Sequence, residues 1–273
     1  MFVGFALEFT PSQIANEQMG RFNMRTVSWF SCGAASAVAT KLAIASGADI
    51  TIAYCEVKEE HPDNIRFLKD CEKWFGQEII ILGNDKYSRS IYEVYQKTRY
   101  LVGPSGARCT GELKKNVRKK FERPDDRQVF GYTVEEQHRV NRFIDSNNDV
   151  DIWPILIDQG LTKNDCLAML QNAGIELPTM YKLGYHNNNC IGCVKGAAGY
   201  WNKIKVDFPD VFERMAKTEE LLGRTICKIS KNGESQRITL RELPSDAGDY
   251  PKEMEIECGI FCYMAEQEYE VAQ

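Results

Sequence analysis

The sequence predicts an α/β protein, a mostly parallel sheet sandwiched by helices with a cysteine-bearing C-terminal appendage. Three observations carry that expectation. Strand-like apolar runs alternate with helix-like amphipathic stretches from Val27 to Ala173, the rhythm of strand–helix–strand units. The first run, Val27 to Phe30, passes straight into Ser31-Cys-Gly-Ala-Ala-Ser36, where every side chain is small. From Lys228 to Lys252 the rhythm stops and the chain turns polar, with Asn-Gly, Pro-Ser and Asp-Tyr-Pro as turn signals.

The elements follow in order. Val27 to Phe30 reads as a strand end, and Ala34 to Ser46 as a helix whose early face is almost all Ala and Ser. Asp49 to Tyr54 is a strand, Asp63 to Trp74 an amphipathic helix, and Glu78 to Leu82 a strand. Arg89 to Tyr100 and Thr110 to Phe121 read as helices. A Pro-Asp-Asp turn precedes a strand over Gln128 to Tyr132, and Val134 to Ile144 is a helix. Asp151 to Ile157 reads as a short strand, and Thr162 to Ala173 as a helix opened by a threonine cap. Cys71 and Cys166 fall on apolar helix faces and read as core. The stretch from Lys228 to Lys252 reads as a mobile connector, and Glu253 to Gln267 regains ordered-looking residues.

A chain of 273 residues suffices for one large domain, or one domain plus an appendage. Met24 stands just before the first strand, so residues 1–23 read as an N-terminal extension, 24–227 as the α/β domain and 228–273 as connector and tail. The net charge of −5 gives no electrostatic reason to expect nucleic acid as a general partner. No apolar run approaches the length that crosses a bilayer. Met1 to Phe9 is apolar but carries Glu8 and lacks a basic leader, so it does not read as a secretory signal. The expected compartment is cytoplasmic and reducing. The clustering within the ten cysteines then points to metal or redox chemistry rather than structural disulfides.

Candidate site residues gather where strands end, since ligands of such sheets bind beyond the carboxyl edges. Side-chain-poor backbone lets a ligand approach closely, and the N–H groups at a helix start attract anions. Ser31, Cys32, Gly33, Ala34, Ala35 and Ser36 are therefore candidates for holding a phosphate or sulfate group. Tyr54, Gly131 and Arg139 lie at or just after other strand ends and join them. Cys190-Ile-Gly-Cys193 can grip a tetrahedral metal or a cluster iron, or form a redox disulfide. Cys109, just before a basic helix, makes a metal centre the favoured choice. Arg108 and Lys114 flank that cysteine, and Lys114 and Arg118 lie one helical turn apart. Lys119 and Lys120 read as solvated, and His186 as a polar surface residue. Glu257-Cys258-Gly-Ile-Phe-Cys262 follows the connector, and a cysteine on a tethered tail suits a nucleophile that must later meet a second reductant.

These segments resemble the sulfonucleotide reductases (phosphoadenylyl-sulfate and adenylyl-sulfate reductases) within the adenine nucleotide alpha hydrolase, or PP-loop, superfamily. Ser31-Cys-Gly-Ala-Ala-Ser-Ala-Val38 is similar to the modified PP-loop, and His61-Pro-Asp-Asn64 to Phe-Pro-Glu-Thr. Arg108-Cys109-Thr-Gly-Glu-Leu-Lys114 resembles the segment bearing cluster cysteines and a substrate-contacting basic residue. Glu257-Cys258-Gly259-Ile260 resembles the C-terminal Glu-Cys-Gly-Leu-His, and Cys190-x-x-Cys193 the second cluster pair. The resemblance implies a PP-loop fold, an adenine sulfonucleotide substrate, Cys258 as nucleophile with Arg108 and Lys114 offsetting charge, and a thioredoxin- or glutaredoxin-like reductant. It implies a homo-oligomer and a 4Fe-4S cluster on Cys109, Cys190 and Cys193, with Cys262 or Cys258 completing the set or one iron left open; zinc, a redox disulfide or no cluster are the alternatives, and Cys262 can instead act as a resolving thiol against Cys190 or Cys193. The chain departs from the pattern at Ala35, where the ATP-cleaving branch carries Asp, at Thr110, where cluster-bearing reductases carry a second adjacent cysteine, and at Phe261 in place of His. Two other functions stay open: an ATP-dependent sulfur-insertion enzyme acting on tRNA or DNA, and a nucleotide- or iron–sulfur-binding protein that has lost its chemistry.

Overall fold

The computed structural model describes residues 24–253, save 104–105, 189 and 232–233. Among them, five parallel strands form one sheet in the order β3-β2-β1-β6-β7. The strands are β1 (Thr26–Phe30), β2 (Ile50–Cys55), β3 (Ile80–Leu82), β6 (Arg127–Val129) and β7 (Asp151–Trp153). The central strand β1 is buried at every position because it pairs on both edges and is covered on both faces. On one face Phe30, Ile52 and Tyr54 pack under α1 (Ala34–Ala45), α2 (Asn64–Phe75), α7 (Ile155–Asp158) and α8 (Lys163–Asn172). On the other, Val27, Trp29 and Ala53 meet α5 (Asn116–Phe121) and α6 (Gln137–Ser146). This is a Rossmann-like α/β domain. Cys71 and Cys166 are fully buried core residues, as their helical spacing predicts.

A second apolar core lies beside the sheet domain. It gathers α3 (Ile91–Thr98), α9 (Thr179–Lys182), α10 (Ala198–Asp207) and α11 (Pro209–Leu222) around Tyr95, Met180, Tyr185, Tyr200 and Trp201. A short antiparallel pair, β4 (Val102–Gly103) and β5 (Gly106–Ala107), leads into α4 (Arg108–Thr110). A π-helical turn (Gly111–Lys115) then joins α4 to α5. The sequence reads this stretch as helical without indicating the wider turn, a form often found at functional sites.

Three local expectations need correction. β6 stops at Val129, so Gly131 and Tyr132 lie beyond the strand, in a tight turn where the Tyr132 N–H bonds to the Phe130 carbonyl. β7 stops at Trp153, because Pro154 ends the ladder and Ile155-Leu-Ile-Asp158 coils into a helix. The stretch read as a mobile connector carries a hairpin, β8 (Cys227–Lys231) with β9 (Glu234–Ile238), and a 3-10 turn at Leu240–Glu242. Ile226, Cys227, Ile238, Leu240 and Leu243 bury themselves in the second core. The buried Glu219 of α11 pins the hairpin by accepting the amides of Ile226 at 2.8 Å and Leu240 at 2.7 Å. The threonine cap of α8 is present, with Thr162 Oγ1 accepting from the Asp165 amide at 3.1 Å. No helix among the described residues is long and apolar enough to cross a membrane.

Candidate functional site

The first part of the site is the loop leaving β1. Cys32 takes a left-handed backbone, φ 56°, which L side chains rarely adopt. Gly33 begins α1 with an extended backbone, and no side chain of its own caps the helix. Ser36 holds the turn closed: its hydroxyl accepts from the amide and the hydroxyl of Ser31 at 3.1 Å each and donates to the Gly33 carbonyl at 2.9 Å. The Tyr181 hydroxyl accepts the Ala34 N–H at 3.3 Å. The N–H groups of Cys32, Gly33 and Ala35 meet no acceptor among the described residues. Ser31 is exposed and Gly33 and Ala35 are half-buried, so the loop opens at the surface. Unpaired amides at the start of a twelve-residue helix are what an anion needs.

Gly131 shapes that loop from behind. A Cβ on it would lie 2.4 Å from the Ser36 nitrogen and 2.7 Å from the Ala35 carbonyl carbon. Only glycine lets the β6 exit pass this close to the first turn of α1. Arg139 sits farther along that exit, over the Tyr132 ring at 4.9 Å and paired with Glu136.

Behind the loop lies a buried polar network that the sequence did not reveal. The Glu60 carboxylate accepts from the Tyr54 hydroxyl at 2.5 Å, Asn64 Nδ2 at 3.0 Å and Lys114 Nζ at 3.2 Å. Asn64 Oδ1 accepts from Asn188 Nδ2 at 2.7 Å, and the same nitrogen donates to the Cys32 carbonyl at 2.6 Å. Glu60, Asn64, Lys114 and Asn188 are all buried. The Tyr54 hydroxyl therefore belongs to this network rather than to the open loop. Burial first, and then the Glu60 charge, push it well above the ordinary tyrosine range. The same two causes, in the same order, hold the Cys32 thiol far up, so it stays a neutral, unreactive thiol.

The cysteines form the second part. Cys109, Cys190 and Cys193 are buried in the second core with Tyr95, Leu113 and Tyr200. The Tyr95 hydroxyl donates to Cys109 Sγ at 3.3 Å. Burial, followed by the Cys109 sulfur it touches, pushes Tyr95 well above its ordinary value. The Tyr200 hydroxyl organises the turn between the paired cysteines. It accepts the amides of Gly192 and Cys193 at 3.0 Å each and reaches the Cys190 carbonyl at 3.4 Å. The Ile191 amide bonds to the Glu59 carbonyl at 2.9 Å, which ties the turn to the β2 exit.

Lys114 and Arg118 are both buried, while Lys119 and Lys120 are exposed. Arg108 pairs with Glu112 at 2.8 Å and keeps its side chain partly exposed. His186 is half-buried rather than a plain surface residue. Its ring stacks on Tyr250 at 4.6 Å, and its amide donates to the Tyr250 hydroxyl at 2.9 Å. Glu253, the last described residue, accepts the amides of Gly199 at 2.6 Å and Tyr200 at 2.9 Å at the start of α10. Cys258 and Cys262 lie outside the described residues.

The donor chemistry of three buried thiols suits iron or zinc. Among the described residues, however, no group of three His, Cys, Asp or Glu side chains is arranged to hold a metal ion. The fit to a cluster is incomplete on these residues. No protein-family model matches the chain, and no curated protein is significantly similar to it.

The residues that sequence reasoning missed are Glu60, Asn64, Asn188, Tyr95 and Tyr200. Two faint signals were available. Asn188 closes on the paired cysteines within an Asn-rich run, and Glu59-Glu60 directly precedes the His61-Pro-Asp-Asn64 segment.

Proposed function

We propose that the chain is a sulfonucleotide reductase-like enzyme of the PP-loop kind, taking adenylyl sulfate or its 3′-phosphorylated form. The observation that carries the proposal is the anchoring of Glu253 on the first amides of α10. Tyr200, one of those two residues, also holds the Cys190–Cys193 turn. Four residues separate Glu253 from Cys258, and an extended chain spans at most about 3.3–3.6 Å per residue. Glu253 thus fixes the last described point before Cys258 on the helix start whose Tyr200 holds the Cys190–Cys193 turn. The unpaired amides of the Ser31–Ser36 loop support the nucleotide side of the proposal.

In the proposed reaction the loop amides hold the phosphate of the nucleotide. The Cys258 thiolate attacks the sulfur of the sulfate group, and the bond from sulfur to the bridging phosphate oxygen breaks. The products are an enzyme-bound S-sulfonate and AMP, or adenosine 3′,5′-bisphosphate from the phosphorylated substrate. A dithiol protein of the thioredoxin or glutaredoxin class then attacks Cys258 Sγ, releasing sulfite. Its second thiol resolves the mixed disulfide, so the two electrons come from the dithiol. Arg108 and Lys114 offset the repulsion between thiolate and sulfate. A 4Fe-4S cluster on Cys109, Cys190, Cys193 and a tail cysteine is an accompanying proposal, and no step above passes through it. Iron content and visible absorbance after anaerobic purification test it.

The deciding experiment is sulfite release from each sulfonucleotide with a dithiol reductant. Wild type is expected to turn over, and Cys258→Ser to fall at least about a thousandfold, as loss of a covalent nucleophile requires. Full activity in Cys258→Ser would remove the proposal. Cleavage of ATP to AMP and pyrophosphate with an RNA or DNA acceptor would replace it with sulfur insertion. Tight nucleotide binding without turnover under any reductant would replace it with a binding protein.

A further inference from the structure

One buried atom is left over from the network behind the loop. Asn188 is 6 % exposed, and its side-chain oxygen has no hydrogen-bond partner among the described residues. The identity of that atom is set by its neighbours. The Glu60 carboxylate can only accept when ionised, so the Asn64 amide turns its nitrogen to Glu60 and its oxygen to Asn188. Asn188 must then present its nitrogen to Asn64 Oδ1 and the Cys32 carbonyl, which uses both of its N–H groups. The unpaired atom is therefore an acceptor, held by three linked side chains and buried against the anion loop. A buried acceptor without a donor is costly, and a bound group with an O–H or N–H relieves that cost.

We propose that Asn188 and the Ser31–Ser36 loop form one subsite for a phosphate ester that carries a hydroxyl close to its phosphate. The loop amides of Cys32, Gly33 and Ala35 take the anion, and Asn188 Oδ1 accepts from the hydroxyl. Proximity selects the donor. The Asn188 amide nitrogen is 2.6 Å from the Cys32 carbonyl, and its oxygen is one amide width away. A donor that reaches it therefore lies beside the loop that takes the anion. In a 5′-nucleotide the ribose hydroxyls meet that condition, whereas the amino group of the base, across the sugar, does not. Asn188 is then the residue that distinguishes ribose from deoxyribose. The adenylate reading above supplies the choice of nucleotide, while the subsite itself follows from the loop and Asn188.

The test is calorimetric binding to the full chain of AMP, 2′,3′-dideoxy-AMP, IMP, ribose 5-phosphate and inorganic phosphate. Removing the hydroxyls is expected to weaken AMP binding by about tenfold or more, the effect of leaving a buried acceptor unpaired. In Asn188→Leu the ratio between AMP and its dideoxy form is expected to collapse to within about twofold, while the ratio between AMP and IMP stays as in wild type. A hydroxyl preference that survives in Asn188→Leu overturns the proposal, as does an AMP-to-IMP ratio that moves in its place. Should Asn188→Leu fail to fold, the wild-type series decides alone: dideoxy-AMP binding as well as AMP overturns the proposal. If AMP binds no better than ribose 5-phosphate but ribose 5-phosphate outbinds inorganic phosphate, the adenylate reading fails and the subsite stands. If no ester outbinds inorganic phosphate, the subsite is wrong.

Discussion

The sheet domain and the second core solve the same problem, presenting chemistry at a loop, in opposite ways. At the exit of β1 the side chains are small, a serine hydroxyl closes the turn on itself, and backbone amides are left for a ligand. At the Cys190–Cys193 turn the side chains are large and aromatic. The Tyr200 hydroxyl takes up two amides of the turn, and the Tyr95 hydroxyl donates to the Cys109 sulfur. The first arrangement leaves backbone amides open, and the second covers its backbone with a phenol and keeps the thiols buried. Glu60 and Asn188 join the two, because one network touches Cys32, the π-helical turn carrying Lys114 and the segment that precedes Cys190.

The largest expected effect comes from cutting that junction. Glu60→Leu takes a buried carboxylate away from the Tyr54 hydroxyl, the Asn64 amide and the Lys114 ammonium together. Removing one partner of a buried ion pair costs about 3–5 kcal/mol, whereas replacing both with apolar groups is often near neutral. Urea denaturation is expected to show a loss of that size for Glu60→Leu, and the further change Lys114→Met is expected to restore part of it. A loss below about 1 kcal/mol would mean that the two regions are not joined through Glu60.

A pair of glycines sharpens the comparison. Gly131 needs its missing Cβ because of backbone only 2.4 Å away, which cannot yield cheaply. Gly192 lies in the cysteine turn at φ 75°, where an alanine meets both a left-handed backbone and Val211 Cγ1 at 2.6 Å. Each Gly→Ala change is expected to cost about 1–3 kcal/mol in urea unfolding. Their functional effects are expected to separate. Gly131→Ala should weaken phosphate binding and leave thiol labelling of Cys190 and Cys193 unchanged, and Gly192→Ala should do the reverse. If both variants move both readouts equally, the two loops act as one unit and the distinction drawn above fails.

How much could be read in advance differs between the two regions for the same physical reason. The β1 exit was legible because small residues after an apolar run are a local signal, and the Thr162 cap because it lies three residues from its partner Asp165. Ile155-Leu-Ile-Asp158 misled because a short apolar run looks alike in a strand and in a buried helix turn, and only Pro154 separates them. The hairpin was missed because β9, Glu-Ser-Gln-Arg-Ile, is exposed at four of its five positions and shows no apolar pattern. The paired cysteines were visible by spacing. Their support was not, since Glu59 meets the Cys190 turn, and Tyr95 the Cys109 thiol, only through the fold.

The smallest expected effect is alkaline and tests whether the two regions share one stability. Burial pushes the thiols of Cys55 and Cys166 in the sheet domain, and of Cys227 on the hairpin, from 9.0 up to about 12. Between those limits the folded protein keeps protons that the unfolded chain has lost. Stability is therefore fully present below pH 9 and falls as the pH rises toward 12. In Cys227→Ala one proton leaves that balance, so the fall in urea midpoint over this range is expected to be shallower than in wild type. If the hairpin and the sheet unfold together, the shallower slope appears in the unfolding of the whole chain, followed by Trp29 in the sheet and Trp201 in the second core alike. If the second core opens first, only its own transition changes, and two midpoints resolve where cooperative unfolding gives one. An unchanged slope in both transitions would remove Cys227 from the alkaline response altogether.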